Sequence, residues 1–436
     1  MTESRLAPWL SSSRWPTAPI RLVARLGSGH TPSRNNPEYW ENCSVPWITL
    51  ADVWQLRHGR TTVITETKEM VSPLGLANSA AVKHPAGTVI LSRTASVGFS
   101  AIMGRDMATS QDFATWTCGP RLEPRYLLHA LRGMAPDLKR VATGSTHKTI
   151  YMPDIEQLRV PLPPLEEQRR IADFLDGETA RMDALGSRLK QFDRDVRERE
   201  AAVLSSLLNA DASSPSDDLP LGWSWTPLMH LTDPMRQIMY GIVLPGPDVV
   251  DGVPIVKGGD VAANRLTREA LKRTTHEIEA GYARSRLKGG DLVIAIRGSV
   301  GDIAVVPDEL TGANLTQDAA RISIDATIDS NWIRLVLQSP LVEHQIKERV
   351  TGATIKGINI WDLKRISVPT PKLYEQQKLA QEASGTVNTH EALRSRVLRH
   401  HTLLAERRQT LIAAAVTGQF DVFTASGRNV TEGVAV

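Results

Sequence analysis

Apolar residues recur every seven positions over two long stretches of this chain. In the first, Leu175, Met182, Leu189, Val196 and Val203 set the frame, with Ile171, Leu185 and Phe192 interleaved. Alternating three- and four-residue spacing sustained over several heptads predicts a coiled-coil helix. Pro161-Leu162-Pro163-Pro164 precedes it. Proline fits only the first turn of a helix, so the helix starts there, with Glu166 and Glu167 at its electropositive end. No further proline occurs before Leu208. The second stretch places Leu379, Ala383, Leu393, Val397, Leu404 and Leu411 on the same frame. Polar residues interrupt both stripes: Glu178 and Arg199 in the first, Thr386, His390, His400 and Arg407 in the second. Arg199 and Arg407 hold equivalent places, which predicts a partner or register role for that layer. A helix of about 44 residues is about 66 Å long at 1.5 Å per residue. Two of matched length pack most naturally antiparallel, as a rod with one globular domain at each end.

Elsewhere the apolar runs are short. Segments 45–50, 88–92, 253–257 and 291–296 are rich in Val and Ile, are bounded by Gly and Pro, and read as strands. Segments 124–134 and 330–345 read as short helices. The mixture predicts an α+β fold and not an alternating doubly wound sheet.

The chain also repeats itself. Val160, Pro161, Pro163, Leu165, Glu167 and Gln168 return as Val368, Pro369, Pro371, Leu373, Glu375 and Gln376, about 208 residues on. Val45-Pro46 and Asp52-Val53 return as Val253-Pro254 and Asp260-Val261. Thr143-Gly144, Thr146, Lys148 and Asp154 return as Thr351-Gly352, Thr354, Lys356 and Asp362. Ser96-Val97-Gly98 returns as Ser299-Val300-Gly301 at a slightly smaller offset. A period this long excludes a solenoid and reads as two copies of a domain plus its helix. The expected divisions are a first recognition domain at 1–164, its helix at 165–210 and a polar linker at 211–218. A second domain at 219–372, its helix at 373–418 and a tail at 419–436 follow.

Composition narrows the function. The chain has 436 residues and an ordinary apolar fraction, and its longest apolar runs, such as 411–416, fall far short of a membrane span. Residues 1–14 lack the layout of a signal peptide. Cys43 and Cys118 show no metal or disulfide spacing and read as buried thiols in a reducing cytoplasm. Net charge is +3, but Arg121, Arg125, Arg132, Lys139, Arg140 and Lys148 cluster in one stretch, which fits a polyanionic partner. A solvated charged face is the alternative. No phosphate loop, dinucleotide fingerprint, zinc-protease, Cys-x-x-Cys, nucleophile-elbow or amino-methyltransferase motif is present. A duplicated architecture without a duplicated catalytic set points to a binder. His390 and His400 read as a polar packing layer before metal ligands. The loops retained in both copies are the best contact candidates: Ser145, Thr146 and Lys148, with Thr354 and Lys356 as counterparts, for phosphates. Arg93 with Ser96, and Arg297 with Ser299, each follow a strand, where arginine reads guanine. Lys257 ends another.

These residues resemble the specificity (S) subunit of type I restriction-modification systems. The likeness covers essentially the whole chain. Its most specific part is Pro161-Leu-Pro-Pro-Leu-Glu-Glu-Gln-Arg-Arg-Ile171, repeated as Pro369-Thr-Pro-Lys-Leu-Tyr-Glu-Gln-Gln-Lys-Leu379. Ala415-Val416-Thr417-Gly418 looks like the family's C-terminal helix end. The resemblance implies a non-catalytic, cytoplasmic protein without cofactor, in which each globular copy reads one half of a bipartite target in double-stranded DNA. The helices act as a ruler and dock two methyltransferase subunits and, through them, restriction subunits. Leu165, Glu167, Gln168, Leu189, Leu373, Glu375, Gln376 and Leu404 are the implied docking residues. The alternatives are a related phage-defence or lone methyltransferase system and a scaffold that binds no DNA.

Overall fold

The computed structural model describes residues 8–57, 59–143, 148–208, 219–262, 264–351 and 356–422. The chain forms two compact units, one built from 1–189 with 399–436 and the other from 190–398. In unit 1, β1 (Thr17–Pro19) pairs with the late strand β10 (Arg159–Pro161). Between them lie β2 (Ala24–Ser28), β3 (Val45–Ile48), β4 (Val63–Ile64), β5 (Glu69–Val71), β6 (Val89–Ser92), β7 (Ser100–Met103), β8 (Ala108–Thr109) and β9 (Phe113–Cys118). They form a five-stranded sheet, β2-β9-β6-β7-β4, and a three-stranded sheet, β5-β3-β8, in which β3 and β8 are parallel. Helices α1 (Pro73–Ala77), α2 (Pro124–Gly133), α3 (Ala135–Val141) and α4 (Met152–Glu156) complete it, and α5 (Leu165–Leu207) leads out.

Unit 2 repeats this plan. Its strands are β11 (Ser224–Pro227), β12 (Met239–Tyr240), β13 (Val253–Val256), β14 (Arg273–Thr274), β15 (Leu292–Ala295), β16 (Ile303–Val305), β17 (Asn314–Leu315), β18 (Ala319–Ile322) and β19 (Ser367–Thr370). The sheet orders are β12-β18-β15-β16 and β14-β13-β17, with β13 and β17 parallel and β11 paired with β19. Strand for strand this is unit 1 without a partner for β4. The helices are α6 (His276–Ala280), α7 (Ser330–Leu337), α8 (Pro340–Arg349), α9 (Ile360–Lys364) and α10 (Leu373–Thr417). The central strands β6 and β15 are buried on both faces, which is why they read as unbroken apolar runs. The α+β expectation holds.

The repeated proline–glutamine signature has a folding reason. Tyr126 on α2 donates its hydroxyl to the Pro161 carbonyl at 3.0 Å, and Trp332 on α7 donates its indole N–H to the Pro369 carbonyl at 3.1 Å. Gln168 and Gln376 are fully buried. The Gln168 Oε1 accepts the Glu123 backbone N–H, which caps α2, while its Nε2 donates to the Arg121 and Pro163 carbonyls, all at 2.9 Å. The Gln376 Oε1 accepts the Asp329 N–H at the cap of α7, and its Nε2 donates to the Pro371 carbonyl. In each unit one glutamine thus ties the start of the long helix to the start of the core helix.

Within each unit the two long helices pack antiparallel. In unit 1, Leu175 and Met182 of α5 share a core with Leu411, Ala415 and Val416 of α10, and Arg408 bonds Asp183 at 2.6 Å. In unit 2, Leu204 and Leu208 share a core with Ala380, Ala383 and Val387, and Arg394 reaches Glu200 at 3.3 Å. The seven-residue frame is as expected, but the interleaved row is displaced by one residue. Leu185, Phe192 and Arg199 are exposed, as are His400 and Arg407. The buried or half-buried row is Ala172, Thr179, Asp193 and Glu200 on α5, and Ala380, Val387, Arg394, His401 and Arg408 on α10. Most of these are small or polar, so an apolar search passes over them. The inward acids stand on α5 and the inward arginines on α10, a pattern that opposes parallel self-pairing. At the far end of α10, Gln419 and Gly418 donate their N–H groups to the Ala414 and Ala415 carbonyls and stop the helix.

Part of the basic stretch of unit 1 is spent inside the fold, while Arg121, Lys139, Arg140 and Lys148 stay exposed. Arg125 bonds Asp173 at 2.7 Å and Asp176 at 3.1 Å, and Arg132 donates to the Thr61 carbonyl. His129 is wholly buried, with Nε2 2.8 Å from Asp176. Burial holds its pKa below the usual value, against the pull of Asp176, and burial also depresses His84. Below about pH 6.5 the unfolded chain therefore takes up protons that the fold refuses. Stability is expected to fall as pH drops from about 7 to 5, by at most about 1.4 kcal/mol per pH unit for each histidine. Melting curves across that range check this, and His129→Gln should flatten the slope. An unchanged slope would place the dependence elsewhere.

Candidate nucleic-acid interface

The strand ends that point one way in each unit bring the sequence candidates together. In unit 1, Ser28, Ser92 and Phe113 lie on one edge of the large sheet, and Ile48 and Thr109 continue it across the small one. Five loops leave from this edge: 29–36, 49–57, 93–99, 110–112 and the segment ending at Lys148. Ala95 donates its N–H to the Lys148 carbonyl at 2.8 Å, Thr94 bridges to Thr149, and Arg93 donates its N–H to the Asp112 carbonyl at 2.8 Å. Arg93, Ser96 and Lys148, chosen separately from the sequence, are therefore neighbours on one surface. Unit 2 repeats the arrangement. Gly298 donates its N–H to the Lys356 carbonyl, Arg297 bridges to Gly357, and the Ile296 and Arg297 N–H groups meet the Asp318 carbonyl. Ala95 and Gly298 hold matching left-handed positions, φ +57° and +77°, at the tip of this turn.

Lys257 joins the second edge through a local turn. Its N–H donates to Asp260 Oδ2 at 3.0 Å, as the Thr49 N–H does to Asp52 at 2.9 Å in unit 1. The repeated Asp-Val pair thus shapes a loop at the interface. Ser299 Oγ donates to the Gly258 carbonyl at 3.4 Å, closing the turn against the arginine loop. The two edges differ in what they offer. Arg93 leans inward, half-buried, with one guanidinium N–H 3.4 Å from the Ile150 carbonyl. The Arg297 side chain is half-exposed and only loosely paired with Asp318 at 3.9 Å. Lys148 and Lys356 are exposed. Ser145, Thr146 and Thr354 lie outside the described residues.

Sequence reading missed several groups on this edge. His30, Asn35 and Asn36 on the first loop and Trp54 on the second are exposed in unit 1 and have no repeated counterpart that would have marked them. Gly29 and Gly241 were also missed. A Cβ at either would lie about 2 Å from the carbonyl oxygen of Thr109 or Leu315, at 1.8 and 2.1 Å respectively. They let the first loop of each unit cross the end of β8 or β17. They escaped notice because their offset differs from that of the main repeat.

The docking candidates fall into two groups. Leu165, Glu167, Leu189, Glu375 and Leu404 are half-buried and Leu373 is exposed, whereas Gln168 and Gln376 face the interior. Glu167 pairs with Arg170, and Glu375 accepts the Trp223 indole N–H at 3.1 Å. Cys43 and Cys118 are free and half-buried, and burial pushes the Cys118 thiol up to about 12. Among the described residues no group of three or more His, Cys, Asp or Glu could hold a metal ion, and no helix is long and apolar enough to cross a membrane.

A family model described as the type I restriction modification DNA specificity domain matches residues 13–191 and 250–387. The chain is 25% identical over 310 residues to the type I restriction enzyme EcoBI specificity subunit of Escherichia coli, covering 68% of this chain and 65% of that protein. It is 22% identical over 297 residues to the EcoKI specificity subunit of Escherichia coli strain K12, covering 65% and 62%. The chain thus spans less than two thirds of the length of these relatives. A solved structure concerned with complex assembly and conformational transition of the type I R-M system contains a chain of like fold. Its TM-score is 0.55 at 18% identity, covering 93% of this chain and 98% of that one.

Proposed function

The chain belongs to the type I restriction modification DNA specificity family, and from that premise we propose that it selects the DNA on which a type I restriction-modification complex acts. Each unit reads one half of a bipartite duplex target through its loop edge. The recognition domains are residues 1–164 and 219–372. The chain itself carries no chemistry; two methyltransferase subunits and, through them, restriction subunits supply methylation and cleavage in the cytoplasm. The observation that carries this reading is the duplicated edge: the same left-handed turn is tied to a lysine carbonyl by the same backbone bond in both units, Ala95 to Lys148 and Gly298 to Lys356, with an arginine beside the turn in each, Arg93 two residues before it and Arg297 one. Roles divide by side-chain chemistry: Arg93, Ser96, Arg297 and Ser299 read bases, while Lys148, Lys257, Lys356 and the hydroxyls of Ser145, Thr146 and Thr354 contact phosphates.

The long helices carry the docking surface. Leu185 and Phe192 stand seven residues apart on α5 at 47% and 43% exposure, and Leu398 and Leu403 on α10 at 55% and 49%. Water-facing apolar side chains on a helix that already has a partner suit a further protein. Leu165, Glu167, Leu189, Leu373, Glu375 and Leu404 extend that surface. Gln168 and Gln376 serve it indirectly, by fixing where each helix starts.

The test uses the chain assembled with methyltransferase subunits and a duplex carrying the target found by mapping methylated adenines in the host genome. Arg297→Ala is expected to weaken binding by about 1–3 kcal/mol and to relax base preference in one half-site only. Lys148→Gln and Lys356→Gln should weaken all duplexes alike and reduce the slope of log affinity against log salt by about 0.9 each. If all three variants bind as the parent does, the loop edge is not the DNA face.

A further inference from the structure

We infer that Arg365, stacked on Trp361, grips a backbone phosphate flanking the bases read by unit 2. The inference rests on the loop edge being the DNA face and extends that face along α9. The Arg365 guanidinium lies over the Trp361 ring, 3.5 Å from its centroid, and both residues are exposed, Trp361 at 62%. One guanidinium N–H donates to the Trp361 carbonyl at 3.2 Å. The indole face and that single bond fix the plane of the group while leaving most of its five N–H donors free.

Other arginines of the chain are used differently. Arg34 also stacks on a tryptophan, Trp40 at 3.9 Å, but Glu69 takes its charge at 2.7 Å. Arg236 and Arg286 are clamped by Asp291 and Glu279, each at 2.7 Å. Arg365 makes no ion pair among the described residues. An oriented, uncompensated guanidinium on the surface matches the bidentate geometry of a phosphate.

Position selects DNA as the source of that phosphate. Gly357 bridges to Arg297, and the Ile358 N–H donates to the Ile296 carbonyl at 3.0 Å, so α9 starts directly beside the base-reading loop. α9 then runs along the side of the unit toward Gln237 and Leu228, so Arg365 stands on the flank of that loop. Lys364, beside it, makes no ion pair among the described residues and donates to Gln237 Oε1 at 3.5 Å. The matching flank of unit 1, along Met152 and Glu156, carries exposed Arg21 and Arg25 in place of the stack. Tryptophan and arginine at 361 and 365 have no equivalents in unit 1, where Pro153 and Gln157 stand.

The experiment measures binding of the assembled complex to the target duplex as a function of sodium chloride, with duplexes ending either at the outermost read base or ten base pairs beyond it. Arg365→Gln is expected to reduce the salt slope by about 0.9 on the long duplex, three- to four-fold in the change of affinity between 50 and 200 mM salt. It should do so equally for target and non-target sequence. Shortening the duplex at one end, and not the other, should abolish the difference from the parent. Trp361→Leu should weaken binding with the charge intact, and Arg365→Lys should restore the slope but only part of the affinity. If Arg365→Gln keeps the parental slope while Lys356→Gln loses its share, the flank makes no phosphate contact and the inference fails alone. If Arg365→Gln, Lys356→Gln, Lys148→Gln and Arg297→Ala all bind as the parent does, the loop-edge reading falls and this inference falls with it.

Discussion

Gln168→Ala is expected to cost unit 1 about 3 kcal/mol or more. The side chain is fully buried and its amide serves three backbone groups, the Glu123 N–H and the Arg121 and Pro163 carbonyls. Alanine strands all three in an interior that water does not reach, and each stranded group costs about 1–3 kcal/mol. A loss of that size lowers the melting midpoint of a unit this large by roughly 6–12 °C. Gln376→Ala removes two such bonds and should cost less. Calorimetry of the full chain bound to its methyltransferase subunits checks both. A Gln168→Ala chain that melts like the parent, yet no longer binds those subunits, would return this glutamine to the docking surface.

Gly241→Ala should be nearly as damaging, and more selective in its effect on binding. Its new methyl group would lie 2.1 Å from the Leu315 carbonyl oxygen, and backbone on both sides of the crossing leaves only displacement of the loop. Overpacking of this kind costs about 1–3 kcal/mol, and a clash with backbone lies at the upper end of that range. The Ile242 N–H bonds the Leu315 carbonyl, the Gln317 N–H bonds Ile242, and Asp318 next to it holds the Arg297 loop. Displacing the crossing therefore disturbs the base-reading edge of unit 2. Affinity should fall for one half of the target only, and Gly29→Ala, 1.8 Å from Thr109, should affect the other half. Equal losses at both half-sites from either substitution would separate the crossing from recognition.

Much of the architecture was legible because it is written twice. The proline–glutamine signature and the Asp-Val turns keep their spacing in both copies and return as the same backbone features in both units, and the flanks of the Thr-Gly segments are bridged alike, Thr143 to Thr149 and Thr351 to Gly357. What the pattern misjudged follows from side-chain direction. The heptad frame was right, but Leu185 and Phe192 look apolar and face water, while Asp193 and Glu200, which look polar, meet Arg394 of the other helix. Likewise Arg125 reads as part of a basic patch until Asp173 and Asp176, about 50 residues away, take up its charge.

The sequence alone determined the duplication, the two long helices and the α+β class, because periodicity and turn residues act over a few positions and need no distant partner. Only the tertiary structure decided which cations stay free for a polyanion and which are neutralised within. It also decided that Gln168 and Gln376 lock the fold, and that the arginine, lysine and aspartate loops share one edge. Those outcomes depend on groups far apart in the chain, and a charge or an amide has no fixed role until its neighbours in space are set.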